Sequence, residues 1–208
     1  MSGILTFDPG PHKYAIDGKH IPGVSELLDS VGVKSTLEDE QVVWNSISNR
    51  FKIDEVAANF GTAFHTCAAW IQKRYDFTPD PQMKPWLAQF RKFLAAHKGH
   101  RVVALEQMLG SKTLGFAGTP DRIDRDTKGD YWIWDWKTGE AFCKDWRLQL
   151  HAYRLLVVEA YNLRNNAKVH LRSVRFFRDK YRVDDCYDAL ADNKIRSIRN
   201  VYQLKQAA

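Results

Sequence analysis

The chain has 208 residues, is 44% apolar and 12% aromatic, and carries a net charge of +6, a balance that excludes a disordered or low-complexity protein and fits one substantial globular domain. No apolar run reaches the roughly 18 residues of a membrane span, and the opening MSGILTFDPG has no basic segment followed by an apolar one, so neither a membrane helix nor a secretory leader is expected. Cys67, Cys143 and Cys186 form no CxxC, zinc or disulfide pattern, which points to a reducing cytoplasm. The charge is unevenly placed. From Arg164 onward eleven Lys/Arg face five Asp/Glu, whereas residues 1–163 carry twenty of each. A basic C-terminal quarter favours a polyanionic partner.

In chain order, Lys13 to Ile16 and Lys19 to Ile21 flank Asp17-Gly18, a two-residue turn signal, and predict a hairpin within residues 3–22. Ser25 is the expected cap of a short helix from Glu26 to Val31, closed by Gly32. A helix is predicted over Leu37 to Arg50. A longer one runs from Asp54 to Tyr75, where Val56, Ala57, Phe60, Phe64, Cys67, Ala68 and Ile71 recur at helical spacing. Pro79, Pro81 and Pro85 interrupt the chain before a helix from Trp86 to His97.

Strands follow. Arg101 to Leu109 is predicted as one strand with Glu106 inside it, and Phe116 to Ile123 as the next, with Asp121 near its end. A polar turn over Asp124 to Asp130 leads into Tyr131 to Lys137. The aromatic character of that last strand predicts cover on both faces, with Trp132, Trp134 and Trp136 in the core. Alternation places Asp135 and Lys137 on one face and Trp136 on the other. A helix is expected over Lys144 to Asn162, a strand over Lys168 to Phe177, and an amphipathic helix from Asp185 to Leu204. The order predicts an α/β fold: a central mixed β-sheet flanked by helices, with a helical N-terminal part.

Four features line up: Gly61 to His65 on a helix, Glu106 and Asp121 on strands, Asp135 to Lys137 at a strand end, and Gln149 and Tyr153 one helical turn apart. Buried charges need partners. Two carboxylates about 5 Å apart repel by roughly 3 kcal/mol at an effective dielectric of about 20. A divalent cation relieves that repulsion and keeps waters for a phosphate. The pattern therefore points to a cation held beside a phosphodiester, with Lys137 placing or deprotonating a water and offsetting transition-state charge. Gly61 is expected to let its helix approach closely.

The segments GTAFH, GTPD, DWKTG and QLHAY resemble, in this order, motifs of the PD-(D/E)XK nuclease superfamily in its RecB-like exonuclease branch. HKYAIDGKHIPGVSELL is similar to the N-terminal segment of phage and mitochondrial genome-maintenance exonucleases. The resemblance spans residues 12–155 and implies a restriction-endonuclease-like core. It implies that His65, Asp121, Asp135 and the backbone carbonyl of Trp136 hold Mg2+ or Mn2+, that Lys137 is the catalytic lysine, and that Gln149 and Tyr153 orient substrate and site. Glu106 matches an acidic position that some members place near a second metal. Some members bind an iron–sulfur cluster through four cysteines; three scattered cysteines do not supply that pattern, so no cluster is expected.

The division expected is an N-terminal hairpin and helices over 1–60, a catalytic core over 61–177, and a basic C-terminal helix over 178–208, all in one domain. Arg172, Arg175, Arg178, Lys180 and Arg182 are read as contacts to a DNA backbone or as a solvated sheet edge. The activity implied is that of a metal-dependent DNase acting on DNA ends, single-stranded ones included, of phage or bacterial origin. A structure-selective endonuclease and an inactive DNA-binding factor of the same fold are the alternatives. No helicase motif is present, so a motor or recombination partner would be a separate chain.

Overall fold

The computed structural model describes residues 3–9, 13–32, 53–138, 145–164 and 167–207. The helix expected over Leu37 to Arg50, and Cys143, lie outside these residues. The first strands are β1 (Leu5–Asp8), β2 (Lys13–Ile16) and β3 (Lys19–Ile21), an antiparallel three-stranded sheet. Asp17 and Gly18 turn β2 into β3 with φ of 51° and 76°, the left-handed pair such a hairpin requires. Helix α1 (Val24–Asp29) starts at Gly23 without a side-chain cap. Ser25 is thus inside the first turn and is not the cap, while Gly32 closes the segment at φ 71°.

Helix α2 (Ile53–Lys73) and helix α3 (Lys84–Ala96) come next. Pro85 lies within the first turn of α3, where its missing N–H costs nothing. The strands then depart from the expected runs. Arg101 to Leu109 divides into β4 (Arg101–Leu105) and β5 (Leu109–Ser111), and Phe116 to Ile123 into β6 (Phe116–Gly118) and β7 (Arg122–Arg125). β5 pairs with β6 in a separate ribbon. Glu106 breaks the first run with a φ of 47°, a conformation strands do not use. Thr119-Pro120 breaks the second, since proline cannot donate to a ladder.

The main sheet has the order β10-β9-β8-β7-β4, with β8 (Tyr131–Lys137), β9 (Val169–Phe176) and β10 (Tyr181–Asp185). Only β8 and β9 run parallel, and helix α4 (Asp145–Ala160) lies between them in sequence as the crossover that parallel pairing demands. The remaining neighbours are antiparallel. This is the expected mixed α/β architecture, a central mixed sheet flanked by helices. Helix α5 (Ala191–Ala207) begins beyond the predicted Asp185, which is the last residue of β10, and runs past Leu204; part of the 178–208 segment read as helix is thus strand.

Each face of the sheet carries its own apolar layer. Trp134, Trp136, Val174 and Phe176 pack against Phe64 of α2 and Phe90 and Phe93 of α3. Ile123, Ile133 and Leu171 pack against Leu150 and Leu156 of α4, with Leu27 of α1 and Ile195 of α5. Each fully buried side chain of this size contributes about 1.5–3 kcal/mol. No helix among the described residues is long and apolar enough to cross a membrane.

Candidate active site

Strand directions bring the candidate residues to one end of the main sheet. Glu106 follows β4, Asp121 precedes β7, and Asp135 and Lys137 close β8. Antiparallel pairing of β4 with β7 and of β7 with β8 puts all of these termini at the same end. The backbone N–H of Glu106 donates to the Asp121 carbonyl at 3.1 Å. Both acids, expected within strands, occupy instead the bends at the mouth of the sheet.

Asp121 is bound on both carboxylate oxygens. His65 Nδ1 donates to Oδ1 at 2.9 Å, and the Trp136 N–H donates to Oδ2 at 2.6 Å. The N–H and C=O of one strand residue face the same edge, so the Trp136 carbonyl is directed toward Asp121 as well. Burial alone lowers the His65 pKa, but the charge and hydrogen bond of Asp121 outweigh it, and the imidazole titrates above its usual value.

Asp135 is buried, and Lys137 Nζ lies 2.7 Å from its Oδ2. At that distance the contact is a charge-assisted one between the ammonium and the carboxylate. Burial raises the Asp135 pKa, Lys137 opposes the rise, Asp121 adds to it, and the net direction is up. Lys137 Nζ also donates to Gln149 Oε1 at 3.0 Å. Gln149 Nε2 in turn donates to the Tyr153 hydroxyl at 3.1 Å, so the helical spacing of Gln149 and Tyr153 builds a relay that holds the ammonium. Burial, with the nearby Asp135 and Asp121 charges, keeps the Tyr153 phenol well above its ordinary pKa. The Lys137 ammonium also lies 5.5 Å from the centre of the Trp146 ring, within cation–π range.

Glu106 stands further out, with its Oε2 4.0 Å from Lys73 Nζ. Burial and then Asp121 raise its pKa, against the pull of Lys73 and His65.

The donor chemistry suits a hard divalent cation: carboxylate oxygens, an imidazole and a backbone carbonyl. Asp121 and the buried Asp135, whose charges disfavour one another, are the groups a cation would most relieve. Yet these ligand atoms are not gathered into one small sphere. Among the described residues, the trio of acidic, His or Cys side chains whose ligand atoms all lie within 4.8 Å of one another is Asp126, Asp130 and His170. That trio sits at the opposite end of β8, by the β7–β8 turn. There Asp126 caps the turn through the N–H groups of Lys128 and Asp130, and His170 bonds to Asp130 and stacks on Trp132. Its hydrogen bonds account for its closeness.

The basic residues divide. Arg175 is buried and makes two hydrogen bonds to Asp184, at 2.8 and 3.2 Å. Arg172 pairs with Asp185 at 2.7 Å and lies over the Trp132 ring. These two hold β9 to β10, Arg175 buried and Arg172 partly so. Arg178, Lys180 and Arg182 are exposed, on the β9–β10 turn and the start of β10, at the same end of the sheet as Lys137.

Two contributions escaped the sequence reading. Gly61 is not tightly packed: among the described residues, an added Cβ would make an ordinary contact with Thr138 Oγ1 at 3.5 Å. The tight glycine beside the site is Gly118, where a Cβ would lie 2.6 Å from Tyr153 Cε1 and 2.9 Å from Val24 Cγ2. Beneath the site, buried Arg122 donates to Asp124 at 2.7 Å and to Gln72 of α2 at 3.1 Å. Trp134 Nε1 also donates to Asp124, at 3.0 Å. This network fastens to β7 the helix that carries His65. Two opposite charges two residues apart in a buried strand were its signal.

Comparison with known families gives a match to the PD-(D/E)XK nuclease superfamily over residues 81–197. The matched segment contains Asp121, Asp135, Lys137, Gln149 and Tyr153; His65 lies upstream of it. No curated protein matches the chain.

Proposed function

The chain belongs to the PD-(D/E)XK nuclease superfamily, and from that premise we propose that it is a Mg2+- or Mn2+-dependent DNase acting on DNA ends in the manner of the RecB-like exonucleases. The observation that carries this reading is the buried Asp135, ion-paired to Lys137 at 2.7 Å, at the sheet end where Asp121 accepts from His65. His65, Asp121, Asp135 and the Trp136 carbonyl would hold the cation, with Glu106 at the margin. When bound, the cation supplies Lewis acidity at a phosphoryl oxygen and makes a bound water more acidic.

The protein's own groups do the rest. Lys137 Nζ is held by Gln149 Oε1 and by the Asp135 carboxylate, which fixes the ammonium beside the place a reacting phosphate would take. There the ammonium orients the attacking water and offsets the charge that grows on the phosphoryl oxygens. Gln149 and Tyr153 keep that amine from swinging into solvent. His65 and the Trp136 N–H hold the Asp121 carboxylate in place as a ligand.

The test is a digestion panel with magnesium or manganese on linear and closed circular DNA. Wild type should degrade linear strands and spare the circle, and Lys137→Ala should lose at least about 100-fold in rate, the lower range for removing one preorganised electrostatic group. Cleavage by Lys137→Ala at the wild-type rate removes the lysine from the mechanism. Cutting of the circle makes the enzyme an endonuclease. Metal binding has a separate readout: millimolar magnesium should raise the melting temperature by linkage, and Asp135→Asn should abolish the rise.

A further inference from the structure

Helix α2 has two unlike faces. Phe64, Cys67 and Ala68 turn into the core. Thr62, Thr66, Trp70 and Lys73 recur at helical spacing on the other side, where they line a groove of about 430 Å³ that begins at His65 and Glu106. Trp70 is 39% exposed, the most open tryptophan among the described residues. An indole left in water beside a charged site forgoes burial that the core gives to Trp134 and Trp136. Phe77 props it on one side, with ring centroids 5.1 Å apart at 66°. Lys73, whose ammonium lies 4.0 Å from Glu106, adds a cationic head to the same stripe.

Resting on the nuclease reading of the neighbouring site, we propose that this groove takes an unpaired nucleotide of the DNA strand, its base stacked on Trp70 and a phosphate on Lys73. An aromatic face joined to a cation is the combination that single strands recognise, because every base offers a π-face and every linkage a negative charge. Trp70 lies five residues beyond His65, roughly 7.5 Å along the helix axis, the length of about two stacked nucleotides at 3.4 Å each. A base inside a duplex has both faces covered by its neighbours and cannot stack there. The groove therefore selects a single strand, or the frayed end of a duplex, next to the scissile phosphate.

The experiment is equilibrium binding of the full-length protein, in EDTA, to a labelled oligodeoxythymidine and to an abasic strand of the same length. Wild type should prefer the strand with bases by roughly 5- to 160-fold, the range of one base–aromatic stack. Trp70→Ala should lose that preference while keeping its affinity for the abasic strand. Trp70→Phe, which retains a ring, should recover part of it. A Trp70→Ala protein that still prefers bases, or a wild type with no preference, overturns the proposal. The nuclease reading fails on a different result: wild type that hydrolyses no DNA with magnesium or manganese while the base preference persists in EDTA.

Discussion

Gly61 and Gly118 each stand in a motif beside the site, and their surroundings assign them opposite sensitivities. Gly61 is within α2, and among the described residues an added Cβ would make an ordinary contact with Thr138 Oγ1 at 3.5 Å, so Gly61→Ala replaces a poor helix former with the best one, a gain of up to about 1 kcal/mol. Gly118 presses against the ring of Tyr153 and the Val24 side chain. A methyl group there overpacks the core, at a cost of about 1–3 kcal/mol. It also pushes the ring whose hydroxyl steadies Gln149 and, through it, Lys137. The expected outcome is a melting temperature unchanged or raised for Gly61→Ala, and lowered for Gly118→Ala together with its turnover. Thermal melts paired with a cleavage assay check both. A Gly118→Ala protein as stable and active as wild type would show that β6 and α4 yield more than their packing implies.

At the scale of elements, helix α5 is clasped to α4 by a polar joint. His151 is buried, donates to Asp192 Oδ1 at 2.7 Å, and accepts the Asp188 N–H on its other nitrogen at 2.9 Å. Arg154 pairs with the same Asp192 carboxylate. Burial raises the Asp192 pKa, but the His151 hydrogen bond and the Arg154 charge outweigh it, so its folded value lies below the ordinary one. A carboxyl depressed on folding stabilises the protein above its unfolded pKa of about 4, and that stability is lost as pH falls through the lower folded value. Asp192→Asn should therefore cost about 1.5–3 kcal/mol at pH 7, roughly 3–12 °C of melting temperature, and the variant should lose less on acidification below pH 4. Melting curves from pH 7 to pH 2 test this; parallel acid slopes would remove Asp192 from the account.

The elements also show what the sequence makes legible. The long helices and β8 were readable because their apolar positions keep a single period or run unbroken. β10 was not: only Tyr181 and Val183 in Tyr181–Asp185 are apolar, and such an edge strand shows alternation too short to separate from a helix start. The false continuity of β4 with β5 hid a left-handed Glu106 that no glycine announced, whereas Pro120 did mark the break before Asp121. The Asp135–Lys137 and Gln149–Tyr153 juxtapositions follow from strand and helix periods alone. The His65–Asp121 contact depends on how α2 packs on the sheet, and periodicity carries no information about that.

Taken whole, the molecule sets three exposed basic side chains of its C-terminal quarter at the sheet end that carries the acidic site, and this separates two roles that the C-terminal charge count had merged. Arg175 is committed to Asp184 inside the fold, so Arg175→Gln should lower the melting temperature and leave DNA affinity of the folded protein nearly unchanged. Arg178, Lys180 and Arg182 are exposed at the site end and free to displace counterions from a phosphate backbone. On a single strand each neutralised phosphate contributes about −0.7 to the slope of log affinity against log salt. Replacing all three with glutamine should make that slope shallower by roughly 2 and weaken binding to every sequence alike. Titrations of a labelled strand at several salt concentrations supply the slopes for wild type, Arg175→Gln and the triple variant. If the triple variant keeps the wild-type slope, the strand does not run along the β9–β10 edge, and the excess positive charge of the C-terminal quarter serves solubility.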